Sequence, residues 1–102
     1  MFNSDKYATR AIASEVSLDL QMALWSMIER RKQKGKEVDY LQLFVLSTAE
    51  VDGQVVQRIV HKQEVPKMTD TYYLKDIIQP MNTKIWIMDN IEYCTMMFPE
   101  DY

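Results

Sequence analysis

A chain of 102 residues holds one domain and not two, and 47% hydrophobic beside 26% charged residues describes a chain that folds rather than one that stays disordered. Its formal net charge of −3 argues against broad attraction to nucleic-acid backbones, which needs many cations acting together. The lone cysteine, Cys94, has no partner for an intramolecular disulfide, and no apolar run approaches the roughly 20 residues of a membrane-spanning helix. With no apolar leader ahead of the first folded-looking segment, the expectation is a cytoplasmic protein away from any membrane.

The chain starts with a short extended stretch around Tyr7 to Ile12. Ser17 then reads as an N-cap, with Asp19 in the first turn where a negative charge suits the helix dipole. A helix is predicted from about Leu18 to Lys34: Leu20, Leu24, Met27 and Ile28 form its apolar stripe, and Leu18, Met22 and Trp25 widen it. Arg30, Arg31, Lys32 and Lys34 crowd the carbonyl end, and Gly35 supplies a left-handed cap.

Beyond Gly35 the period changes. Tyr40 to Ser47 and Gln54 to Lys62, rich in β-branched and aromatic residues, are predicted strands joined by a tight turn at Asp52-Gly53. Pro66 to Asp70 reads as a loop, Thr71 to Lys75 as a short strand at best, and Pro80 to Asn82 as a break. Thr83 to Met88 and Ile91 to Phe98 flank Asp89-Asn90 as a second hairpin. The expected fold is a single α+β domain over residues 1–102: one amphipathic helix on a curled, mostly antiparallel sheet of four or five strands, built from two hairpins.

The strands are apolar on both sides. Thr83, Ile85 and Ile87 alternate with Lys84, Trp86 and Met88, while Cys94, Met96 and Phe98 alternate with Tyr93 and Met97. One helix covers only two or three strands, because strands lie ~4.8 Å apart and a helix is about 10 Å wide. The second face therefore needs cover from the chain's own loops, a second copy, or another protein. Such a contact would centre on Trp86, Met88, Met96 or Phe98, with Tyr72 and Tyr73 as further aromatic anchors.

No residue pattern points to a catalytic centre. His61 is the only histidine and sits in a strand beside Val55, Gln57 and Ile59, so a structural role outweighs a titrating one. Cys94 among Tyr, Thr and Met reads as core filling rather than as an activated thiol. With only two glycines there is no phosphate-cradling loop, and the scattered carboxylates have no metal-ligand spacing, so no cofactor and no metal are expected. The run Arg30, Arg31, Lys32, Lys34 and Lys36 is the best electrostatic feature. It complements the helix dipole and offers a patch for an acidic partner or for nucleic acid, the latter opposed by the chain's net negative charge.

The segments DKYATR, LDLQMALW, DYLQLFVLS, HKQEVP and NTKIWIMDNIEYCTMM, taken in order, resemble the family of small proteins of low-GC Gram-positive bacteria and their phages known as domain of unknown function 960. The resemblance spans nearly the whole chain. It implies a bacterial or phage origin and brings no catalytic residue, cofactor or partner with it. The leading expectation is a protein-interaction or accessory module that docks a partner or self-associates. The alternatives are a small ligand-binding protein or enzyme with a pocket near His61, and a nucleic-acid-associated protein using the basic helix end.

Overall fold

Ser17 caps the long helix as expected: its Oγ accepts from the Leu20 N–H at 3.3 Å. In the computed structural model, which describes residues 1–102, the elements in chain order are β1 (Asp5–Ala8), α1 (Arg10–Glu15), α2 (Leu18–Gln33), β2 (Leu41–Val51), β3 (Gln54–Gln63), β4 (Met68–Leu74), β5 (Thr83–Asp89) and β6 (Tyr93–Met97), with a closing 3-10 turn at Pro99–Asp101. Thr9 caps α1 in the same way, from Oγ1 to the Ile12 N–H at 3.3 Å. Gly35, at φ 71°, follows the C-cap of α2, and the β2–β3 hairpin turns through Asp52 at φ 51° and Gly53 at φ 79°, the positive values a tight hairpin loop demands.

The sheet has six strands in the order β1-β6-β5-β2-β3-β4, not the four or five expected. The additional strand is β1, which pairs parallel to β6 while every other pairing is antiparallel. All four of its residues are exposed, so it carries no apolar alternation and is defined by backbone pairing alone. The β4 strand begins at Met68, inside the stretch expected to be a loop, and completes the other edge. Because β1 and β4 are unpaired on their outer sides, the sheet stays open rather than closing into a barrel.

Register decides which side chains share a face. Pairing Phe44 with His61 and Ile85, and Ile87 with Met96, puts Phe44, Leu46, Ile59, Ile85, Ile87, Cys94, Met96 and Phe98 on the side where the helices lie. There they join Leu20, Leu24, Met27 and Ile28 of α2, Ile12 of α1, and Phe2 and Val16 in one core of 15 buried residues. Met96 and Phe98 are therefore core groups and not interface candidates, in contrast to the sequence-based expectation. Asp89 ties the N-terminal segment to this core: its carboxylate accepts from the Phe2 N–H and from the Ile91 N–H, each at 2.8 Å.

The opposite face carries no helix. Four buried apolar residues, Val56, Val60, Met88 and Met97, lie outside the core cluster, and all four stand on this second side by register. The molecule measures 42 × 30 × 20 Å. No helix is long and apolar enough to cross a membrane.

Candidate functional sites on the two faces of the sheet

On the uncovered face, one row of cross-strand partners runs Thr69, Lys62, Leu43, Trp86, Met97 from β4 to β6. The rows beside it set Val60 and Lys84 against Val45, and Met88 against Leu41 and Thr95. Leu41, Leu43, Val45 and Trp86 are only half-buried. Tyr73 is 53% exposed at the β4 edge and Tyr7 is 55% exposed at the β1 edge, where it meets Tyr93 edge-on at 6.0 Å. Trp86 and Tyr102 pack with their rings inclined at 60° and centroids 6.2 Å apart.

Charge on this face is one-sided. Arg58, Lys62 and Lys84 occupy its central strands, and the single carboxylate at a strand position on this side is Asp5 on the β1 edge. None of the three cations has a carboxylate within ion-pair distance, since the chain's one salt bridge joins Lys32 to Glu29. Trp86 and Met88 thus share the uncovered face, Trp86 half-buried and Met88 buried. Tyr72 and Tyr73 point to opposite sides of β4: Tyr73 to this face, Tyr72 towards the helix-side core.

The helix face carries a second candidate. Behind the end of α2, His61 is 1% exposed, its ring stacked on Phe44 and its Nε2 2.6 Å from Gln42 Oε1. Two glutamines fix the direction of that bond. Gln63 Nε2 donates to the Glu37 and Pro66 carbonyls, so Gln63 Oε1 is free to accept from Gln42 Nε2 at 3.0 Å and from the Asp39 N–H at 3.1 Å. Gln42 Nε2 also donates to the Asp39 carbonyl at 2.8 Å, which leaves Gln42 Oε1 as an acceptor facing His61. His61 therefore carries its proton on Nε2, and Nδ1 holds a lone pair.

That Nδ1 has no partner within the chain. Since no buried side-chain nitrogen or oxygen is left unpartnered, it opens on the small cleft of about 30 Å³ that His61 lines with Met27, Arg30, Arg31, Lys34, Lys36, Asp70 and Tyr72. Burial pushes the His61 pKa down to about 4; Asp70 opposes the shift and Arg31 adds to it. Lys32, expected with the basic patch, turns away and binds the Phe2 carbonyl and Asn3 Oδ1. Nothing in the sequence singled out Gln42, Gln57 and Gln63, although each is an uncharged polar residue at an inward strand position, which is the signal of a buried hydrogen-bond network.

Cys94 is buried, with its Sγ 3.7 Å from Asp89 Oδ1, and no group of three His, Cys, Asp or Glu side chains that could hold a metal ion is present. The largest groove on the helix side, about 410 Å³, is shallow and runs along α2 past Lys6, Met22, Trp25 and Glu29, with the Lys6 ammonium 5.7 Å from the Trp25 ring centre.

The sequence model of a family described as "Staphylococcal protein of unknown function (DUF960)" matches residues 5–101, almost every residue of the fold above. The chain belongs to the DUF960 family. A crystal structure of a protein of unknown function from Enterococcus faecalis shares the DUF960 chain's fold, with a TM-score of 0.73 over 97% of this chain and 91% of that one at 19% identity. No curated protein matches the chain. The family and the neighbour thus fix the fold without assigning an activity, and the reading of function rests on the two faces of the sheet.

Proposed function

We propose that this DUF960 protein is a docking module whose uncovered sheet face takes an apolar, acidic segment of another protein. The observation that carries the reading is the make-up of that face: half-buried Leu41, Leu43, Val45 and Trp86 interleaved with Arg58, Lys62 and Lys84, three cations without ion-pair partners. Apolar area supplies the driving force, and the cations select a partner that brings carboxylates.

Charge separates this partner from the alternatives. A symmetric dimer through the face would set the same three cations against their own copies, and like charges across an interface are costly. Single-stranded nucleic acid asks for a platform of exposed aromatic rings, whereas the centre here is mostly aliphatic and its one indole, Trp86, is already packed against Tyr102. An enzyme pocket at His61 is disfavoured by size, since substrate clefts typically exceed about 300 Å³.

The test places a photo-crosslinking amino acid at Leu43, and at Met22 on α2 as a control, in the native host. The expected result is a discrete protein adduct from position 43 only, mapped to a segment rich in Asp, Glu and apolar residues, and lost on Arg58→Glu with Lys62→Glu. An adduct with a second copy, with nucleic acid, or none at all would overturn the reading.

A further inference from the structure

The geometry points to a binding site for inorganic phosphate that still carries a proton, in the cleft between the end of α2 and strands β3 and β4. The site is separate from the docking face, since Asp70, His61 and Tyr72 are on the helix side of the sheet. Arg30, Arg31, Lys34 and Lys36 bring four positive charges to this cleft against the one carboxylate of Asp70, in a chain of net charge −3. None of the four has a carboxylate within ion-pair distance, and Arg31 Nε is held on the Glu37 carbonyl at 3.0 Å, which fixes the guanidinium at the rim.

Cations alone would describe a solvated helix end. The second observation is His61: a side chain 1% exposed whose Nδ1 lone pair is fixed by the chain of glutamines and has no donor. A lone pair held open at the floor of the cleft suits a ligand with a hydrogen to give. The Asp70 carboxylate in the same cleft offsets one of the four positive charges and leaves the cleft net positive. A lone pair among cations suits an anion that has both negative charge and a hydroxyl. At neutral pH inorganic phosphate is such an anion, and sulfate, fully ionised, is not. The hydroxyl would donate to Nδ1 while the other oxygens meet the Arg and Lys heads at the mouth. A cleft of about 30 Å³ admits this inner oxygen and little more.

The full chain is titrated with inorganic phosphate, and with sulfate at equal ionic strength, by calorimetry and by ¹⁵N resonances of the His61 ring. Expected are saturable phosphate binding, a shift at Nδ1, and sulfate at least about tenfold weaker, the loss of one hydrogen bond to a charged group. Lys34→Glu with Lys36→Glu, both exposed and outside the core, should weaken phosphate at least about tenfold. Equal binding of sulfate, an unmoved Nδ1, indifference to the charge reversal, or no saturable binding would each overturn the proposal.

Discussion

The His61 ring lies nearly parallel to that of its cross-strand partner Phe44, with centroids 4.5 Å apart and planes 11° from one another. The stack shields one face of the imidazole from water and leaves its edge to Gln42 and the cleft. A charged imidazole would lose its hydration there without gaining a carboxylate at bonding distance, which is why its neutral form prevails.

Stability should therefore depend on pH between about 4 and 6.5. The folded pKa of about 4 lies below the ordinary 6.5, so within that window the unfolded chain binds the proton more readily. The contribution is complete above pH 6.5 and is lost as pH falls towards 4, amounting to roughly 3 kcal/mol at most. Urea unfolding at pH 7 and pH 4.5 measures it. A His61→Leu variant should show a flatter slope, and an unchanged slope would refute the assignment.

Gln63→Leu should destabilise the fold by about 1–3 kcal/mol. The substitution strips the Glu37 and Pro66 carbonyls, the Asp39 N–H and Gln42 Nε2 of a shared partner at once. Denaturant midpoints should fall with the slope unchanged, the mark of a pure stability loss. Ring resonances of His61 should also report a mixture of tautomers, because Gln42 is then free to rotate.

Two lysine substitutions separate the faces. Met96→Lys buries a charge in the core at a position with 0% exposure and should prevent folding, whereas Leu43→Lys leaves the side chain a route to solvent and should keep the fold. Far-UV and near-UV circular dichroism of the pair decides it. A folded Met96→Lys protein would contradict the packing described above.

Asp89→Asn should loosen the N-terminal segment. Burial alone would raise the Asp89 pKa, yet the Phe2 and Ile91 N–H groups and the Cys94 thiol hold it below its usual value. An amide has one acceptor oxygen to serve Phe2 and Ile91, so the loss should be about 1–3 kcal/mol and the melting temperature should fall by several degrees. Faster amide exchange should appear at Phe2 and Ile91, while the β2–β3 hairpin stays protected.

How much of this was legible follows from what each element depends on. Helix α2 and the β2–β3 hairpin are written locally, in Ser17, Gly35 and Asp52-Gly53 and in the spacing of Leu20, Leu24, Met27 and Ile28. The two-faced apolar pattern correctly implied a side that one helix does not cover. Grouping Trp86 and Met88 with Met96 and Phe98 failed because alternation sorts residues within a strand, and only the register between strands joins the groups. Pairing Trp86 with Met97 puts Met96 on the other side. The His61 cleft was half visible: its cations stood out as a run, but the orientation of the imidazole depends on Gln42 and Gln63, which meet it only in the folded sheet.

The parallel pairing of β1 with β6 also sets an order of events during synthesis. Residues Asp5–Ala8 leave the ribosome before every other strand of the sheet, yet their partners Tyr93–Met96 are made after all the others. Meanwhile α2 can form early, but its stripe of Leu20, Leu24, Met27 and Ile28 has no sheet to rest on until β2 and β5 have both emerged. Until then the nascent chain presents a greasy helix, and the sheet should close nearly all at once rather than growing from one end.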